Sequence, residues 1–483
     1  MRGTLEAPEG RGGRRVVVWR GVPYAQQPVG PLRFRAPQSE QPWAGERDAT
    51  AHGPLPPQGR SFVGGGRDDP KQRDEACLTL TVWSPGTSGR RPVMVWIPGG
   101  AFVFGAGQFQ LYNGSRLAAN GDVVVVNVTY RIGVFGGFEL SSLGDGFDDN
   151  LCLRDQIAAL QWVQQNIAAF GGDPQRVTVF GESAGGTSIL ALLASPAADG
   201  LFTRAIAQSP ALPLIADADS RAERAAKLVA ALAVAPADLA AQPQRALRRA
   251  AGLLQLDSVA TSPTLAYGLT YGTPTLPRHP IDAARRADIA AVPLIIGTNS
   301  DEASMFAWGK PPMLPTTRPA VDAYFARIGP AAQDRVLAGY PQYPRRRALI
   351  DIGSDAMFGA PTWAFTDAYS AVAPTYSYRF DHVTSTLRTL GLGATHGSEI
   401  VHVQHSYGSY LGRLLHPLGR HVPPAVGRRM QRSWLEFAGG NPPDPQWPPY
   451  EVPRRATRLI RTGRDVVADD PDAVRRQAWD GVY

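Results

Sequence analysis

Residues 176–188 read RVTVFGESAGGTS, an order of residue types that predicts a strand, a one-residue turn and a helix. Val177 to Phe180 is β-branched and aromatic, with the turn residues GGDP before it and Gly181 after it, so it reads as a short buried strand. From Ala184 on, small residues lead into ILALLA at 189–194, helix material until Pro196 stops it. Between them, Gly181-Glu182-Ser183-Ala184-Gly185 matches the G-x-S-x-G nucleophile elbow. A serine on so sharp a turn has strained backbone angles and little room around it. Glycines two before and two after let strand and helix pass without a Cβ clash. The helix N-terminus behind Ser183 offers free N–H groups to a developing oxyanion. An ordinary Gly/Ser turn is the bland alternative, and the strand–turn–helix context argues against it.

Upstream, Val93-Met94-Val95-Trp96-Ile97 is a continuous apolar strand that runs into Pro98-Gly99-Gly100-Ala101-Phe102. A glycine pair there suits an oxyanion loop, because side chains would obstruct the approach of backbone to substrate. Residues 122–130 (DVVVVNVTY) make another buried strand. Residues 155–170 follow as an amphipathic helix, with Leu153, Ile157, Leu160, Val163 and Ile167 on one stripe. Asp155 is expected near the helix start, in favourable relation to the dipole, and Gly171-Gly172 ends the helix. Strand, helix and elbow strand in succession predict a parallel βαβ unit. Residues 16–19 and 78–83 are further strands, and the proline-punctuated segment 21–37 is loop and extended chain.

The 483 residues are 43% hydrophobic and 19% charged, a globular composition. Basic and acidic residues number 49 and 42, leaving a formal charge of +7, with the arginines scattered. The densest cluster, Arg345-Arg346-Arg347, lacks interleaved aromatics, so it reads as solvated surface and no nucleic-acid partner is expected. Cys77 and Cys152 lie in segments that read as core, which predicts buried free thiols. The apolar run 123–126 is far too short for a membrane span. The N-terminus, MRGTLEAPEGRGGRR, has no apolar stretch of signal-peptide type. These features predict a soluble, cytoplasmic protein, with secretion left open if the true N-terminus lies upstream.

A serine nucleophile needs a general base, and the base needs an acid to fix its tautomer. Downstream, 291–297 reads as a strand whose C-terminal loop carries Asp301 and Glu302, where catalytic residues of open parallel sheets gather. Of eight histidines, His396 stands in the glycine-flanked loop GATHGSE. His402 and His405 (HVQH) suggest a metal pair, but with no further ligand cluster in the sequence they read as packed or helix-surface histidines. His52, His279, His382, His416 and His421 have no motif around them.

These blocks make the chain resemble the type-B carboxylesterases of the α/β-hydrolase superfamily, a family that includes cholinesterases, p-nitrobenzyl esterases and the non-catalytic neuroligins. The resemblance is carried by GVPYAQQPVGPLRFRAPQ, EACLTLTVW, VMVWIPGGAFVFGAG, NVTYRIGVFGGF, the elbow block, LFTRAIAQSP, GTNSDEASMF, YSYRFDH, GATHGSEI and MQRSWLEFAGGNPP, and so spans nearly the whole chain. It implies an α/β-hydrolase fold with a mainly parallel central sheet flanked by helices. One domain would cover 1–483, with lid and pocket-wall insertions at 211–290 and 308–375. It further implies a triad of Ser183, Glu302 and His396, with Asp301 the fallback acid. Oxyanion donors would be Gly100, Ala101 and Ala184, and Ser209 and Glu182 supporting residues. No cofactor or metal is implied, and the partners are a small-molecule ester and water.

The chain departs from the family at several positions. Pro98 stands where many relatives have His or Tyr, which removes a hydrogen bond behind the loop. Pro210 replaces a glycine, Ala76 an aspartate and Cys152 a glycine. Cys77 has no upstream cysteine to pair with, and 53–71 lacks the tryptophan of the choline-binding loop, against a dedicated cholinesterase. The resemblance implies a serine carboxylesterase for small to medium, mostly uncharged esters. The alternatives are a neuroligin-like binding module, or the same triad turned on a carbamate, a thioester or a natural-product lactone.

Overall fold

A computed structural model describes residues 1–8, 14–59, 72–261, 266–308, 313–417 and 424–483, the side chains of 258–261 excepted. Its strands, in chain order, are β1 (Thr4–Glu6), β2 (Val16–Pro23), β3 (Thr79–Ser84), β4 (Arg91–Ile97), β5 (Val124–Thr129), β6 (Gly172–Glu182), β7 (Arg204–Gln208), β8 (Ile215–Asp217), β9 (Leu269–Tyr271), β10 (Leu294–Asn299), β11 (Thr375–Phe380), β12 (Ala456–Ile460) and β13 (Val466–Asp469). β8 and β9 pair with each other, and the rest form one sheet in the order β1-β2-β3-β5-β4-β6-β7-β10-β11-β12-β13. From β5 to β12 neighbouring strands run parallel, while β1, β2, β3 and β13 are antiparallel additions at the two sides.

The central strands are rich in apolar residues on both faces because both faces of the sheet are covered. Val93, Val95 and Ile97 of β4 enter one core and Met94 and Trp96 the other. β5 repeats the alternation, with Val124, Val126 and Val128 on the first side and Val125 on the second. β4 feeds leftward to β5 and β6 rightward to β7, so the loops after β4 and β6 diverge. Such a switch point leaves a crevice at the carboxyl ends of the strands.

Several boundaries differ from expectation, that of β6 among them, since it begins at Gly172 within the segment read as a turn. The helix before β6 runs over Leu151–Asn166, not from Asp155, because Asn150 turns the chain in a left-handed conformation (φ 49°) and anchors its side chain on Thr270 and Thr273. Asp155 therefore sits in the second turn, fully buried, and receives both arms of the Arg131 guanidinium at 2.6 and 2.8 Å instead of facing the dipole. β10 starts after Pro293, which has no N–H to give a ladder, and extends to Asn299. Glu302 thus lies just beyond the strand end.

Cys77 and Cys152 are free and buried, as read from the sequence. Among the described residues, no helix is long and apolar enough to cross a membrane.

Candidate active site

Ser183 occupies the single residue between β6 and the helix Ala184–Leu193, with φ 60° and ψ −123°. A non-glycine residue held there costs about 1–3 kcal/mol, so its surroundings must fix it. They do so from both sides. The Ser183 N–H donates to the Gln208 carbonyl at 2.9 Å, and the Ser183 carbonyl accepts from the Thr187 N–H at 2.8 Å. The flanking glycines are sterically required. A Cβ on Gly185 would lie 2.0 Å from the Ile97 carbonyl oxygen, and one on Gly181 would lie 2.7 Å from the same atom.

The loop leaving β4 closes over the elbow. A Cβ on Gly99 would meet the Glu182 carbonyl at 2.3 Å, and Gly100 adopts φ +117° with Phe104 against it. Ala101 and Phe102 also have positive φ (54° and 58°), a conformation held by Gly100's carbonyl accepting from Val103 and Phe104 N–H groups. The Pro98 carbonyl accepts from the Tyr130 hydroxyl at 2.6 Å, which ties the loop to the end of β5. No protein acceptor among the described residues takes the N–H of Gly100, Ala101 or Ala184. Three donors are left for a ligand beside Ser183.

Glu302 opens a short turn after β10, and His396 lies on the loop that follows β11 and the helix Ser385–Thr389. Glu302 Oε2 is 2.7 Å from His396 Nδ1, and Glu302 Oε1 accepts from the Asn299 N–H at 2.7 Å. The imidazole packs against Phe358 and Phe306, with ring centroids 4.5 and 5.4 Å away. Its Nε2 lies 3.2 Å from Glu182 Oε1, an oxygen with no hydrogen-bond partner, so the approach is electrostatic. No hydrogen bond joins the Ser183 hydroxyl to His396 among the described residues, though both line one cavity. Such bonds commonly tighten only when substrate is bound. Asp301 points elsewhere: its carboxylate pairs with Arg347 and accepts from Ser300 Oγ at 2.7 Å and the Ala394 N–H at 3.1 Å.

The cavity holds about 480 Å³ and is apolar except at the Ser183 end. Leu387, Leu392, Ile400, Leu411, Leu414 and Leu415 give it a leucine-rich wall, from a stretch that carries no motif beyond the histidine block. Of the insertions expected to wall the pocket, 308–375 gives Trp308 and Met313, plus Phe358 behind the His396 ring, while 211–290 gives no lining residue among those described. Residues 60–71 of the 53–71 loop, residues 309–312 and His421 lie outside the described residues.

Residues 1–479 match the model of the Carboxylesterase family. The chain belongs to that family. Among its relatives, the para-nitrobenzyl esterase of Bacillus subtilis is 37% identical over 468 residues, covering 95% of this chain and 94% of its own. The phenmedipham hydrolase of Pseudarthrobacter oxydans is 32% identical over 481 residues, 95% of each chain. A solved PNB esterase structure superposes with a TM-score of 0.88 at 35% identity, covering 99% of this chain and 97% of that one. The protein is a carboxylic ester hydrolase on the α/β-hydrolase fold, acting on small-molecule esters with water.

In this carboxylesterase, three buried glutamates surround one imidazole. Burial pushes the Glu182 carboxyl up to about 8. Burial, then the neighbouring Glu302 charge, raises Glu399 to about 7. For His396, burial favours the neutral ring, but Glu182 and Glu302 together outweigh it and raise the group to about 9. Asp301, by contrast, sits below the ordinary carboxyl range, because hydrogen bonds from Ser300 and Arg347 outweigh its burial.

Ser209 donates to Glu399 Oε1 at 3.4 Å, and Asn299 Nδ2 donates to Glu399 Oε2 at 2.6 Å. Ser209 therefore acts on Glu399 and not on the imidazole. Glu399 itself went unnoticed in the sequence; its one signal was an acid three residues past His396. His402 is fully buried, and its neighbours are His382 and His416, a cluster the HVQH spacing concealed; His405 stands apart from it.

Proposed function

We propose that the carboxylesterase works through an acyl-enzyme on Ser183, with His396 as general base and Glu302 as its acid. The observation that carries this reading is the 2.7 Å Glu302–His396 contact beside a strained elbow serine in one apolar cavity. Neutral His396 takes the Ser183 proton as Oγ attacks the ester carbonyl, then gives it to the leaving alcohol; water repeats the cycle on the acyl-enzyme. The N–H groups of Gly100, Ala101 and Ala184 receive the oxyanion. Glu302 holds the proton on Nδ1 and stabilises the imidazolium that forms. The leucine wall favours esters with an uncharged, apolar group of small to medium size. The two unpaired thiols support a cytoplasmic, reducing location.

The test is a chain-length series of p-nitrophenyl esters. In a 480 Å³ apolar cavity, kcat/KM is expected to rise from acetate to butyrate, because each added methylene buried contributes about 0.8 kcal/mol, or roughly fourfold. A flat or falling series would rule out the leucine wall as the acyl site.

The pH profile follows from the carboxylates. The base must be neutral, and Glu182 and Glu302 favour its protonated form, so the acid limb of kcat/KM should lie above the ordinary imidazole value of 6.5. Glu182→Gln removes one of the charges and should move that limb to lower pH. A limb that stays in place would show that Glu182 carries no charge at that stage.

A further inference from the structure

His382, His402 and His416 bring one ring nitrogen each to within 4.8 Å of one another, beneath the wall of the ester pocket. They arrive from three separate elements. His382 follows β11, His402 belongs to the helix Ile400–Val403, and His416 ends the helix Tyr410–Leu415. His402 is fully buried and His382 is 6% exposed, while His416 is half-buried and opens the site to solvent.

Two of the rings are oriented from behind. His402 Nδ1 meets the Tyr407 hydroxyl at 3.0 Å, and His382 Nδ1 meets Thr462 Oγ1 at 2.8 Å. Metal-binding histidines are commonly held this way through the nitrogen that does not ligate. The opposite nitrogens then face one another: His402 Nε2 and His416 Nε2 are 3.1 Å apart, and His382 Nε2 is buried with no hydrogen-bond partner. A pair of neutral imidazoles can share one N–H···N bond, which accounts for two of the three. It leaves His382 Nε2 unsatisfied whichever tautomer it adopts.

We propose that these three histidines form a binding site for a zinc-class divalent transition cation, which clamps the leucine wall of the pocket. Zinc–imidazole bonds of about 2.0–2.1 Å in tetrahedral array place the nitrogens about 3.4 Å apart. The 3.1 Å pair lies close to that spacing, and the third nitrogen, within 4.8 Å of both, must draw in to complete the triangle. Imidazole donors suit zinc, copper and nickel rather than magnesium or calcium, and water would take the fourth position on the His416 side. Of the arginines facing His382, Arg429 is neutralised by Asp465 and Arg388 is exposed to solvent.

The placement explains what a bound ion would do. Leu387, Leu392 and the His396 loop lie between His382 and His402, and Leu414 and Leu415 directly precede His416. An ion joining the three ligands ties the pocket wall to the strand that carries it. The inference does not depend on the roles assigned to Ser183, Glu302 and His396.

Untagged protein is stripped with chelator, given zinc or cobalt(II), and freed of unbound metal by gel filtration. Wild type and a His52→Gln control should retain about one zinc per chain, gain a few degrees in Tm, and show the visible absorption of tetrahedral cobalt. His382→Gln and His416→Gln, with unchanged circular dichroism, should lose all three signals. Should His382→Gln fail to fold, His416→Gln, at the least buried ligand, decides alone. Wild type that retains neither metal, or variants that retain it as well as wild type does, would overturn the site.

Discussion

With Ser183 replaced by alanine, hydrolysis of p-nitrophenyl butyrate is expected to fall on the order of 10⁵–10⁶-fold in kcat/KM, with Tm essentially unchanged. Both halves follow from the elbow. Alanine meets the same φ of 60° as serine, and the backbone bonds to Gln208 and Thr187 do not involve the hydroxyl, so the turn persists. The chemistry, however, loses its only attacking atom. His396 can still polarise a water, and the three N–H donors can still receive an oxyanion, which leaves a residual rate about 10³–10⁴ above water. A fluorophosphonate that labels wild type and not the variant would place the nucleophile directly. Residual turnover within tenfold of wild type would place it elsewhere and remove the foundation of the proposed mechanism.

The elbow was legible because its requirements are local. Gly181 and Gly185 must be glycine where the strand turns into a helix within one position, because the Ile97 carbonyl leaves no room for a Cβ at either, and a serine on the turn between them completes the motif. The buried strands were legible for a related reason: both faces of β4 and β5 are covered, so their sequences are mostly apolar on both faces. What stayed hidden depends on contacts between distant residues. Asp155 looks like a helix-start acid until Arg131 reaches it across the fold. Glu399 acquires its place only when Ser209 and Asn299 arrive from two other strands. The leucine wall has no signature because its residues come from short helices whose packing no periodicity announces. The histidines show the same effect in reverse. Spacing pairs His402 with His405, whereas the fold separates those two and assembles His402 with His382 and His416.

Adjacent acids on the loop after β10 should respond in opposite ways to loss of charge. Glu302→Gln is expected to lower kcat about 10⁴-fold with little change in fold. The Asn299 N–H holds Oε1 of residue 302, so the amide oxygen takes that position and the NH₂ group turns to His396 Nδ1. Nδ1 must then accept, which puts the ring proton on Nε2, the nitrogen that needs a lone pair to take the Ser183 proton. The imidazolium of the transition state also loses its counter-charge. Asp301→Asn touches none of this. It weakens the contact with Arg347 and the bond from the Ala394 N–H, so it should cost about 1–3 kcal/mol of stability and at most a few-fold in kcat. Steady-state kinetics and thermal melts of both variants separate the two roles, since one should lose rate without stability and the other stability without rate. Equal losses of kcat in both would mean that the loop, rather than the Glu302 carboxylate, positions the base.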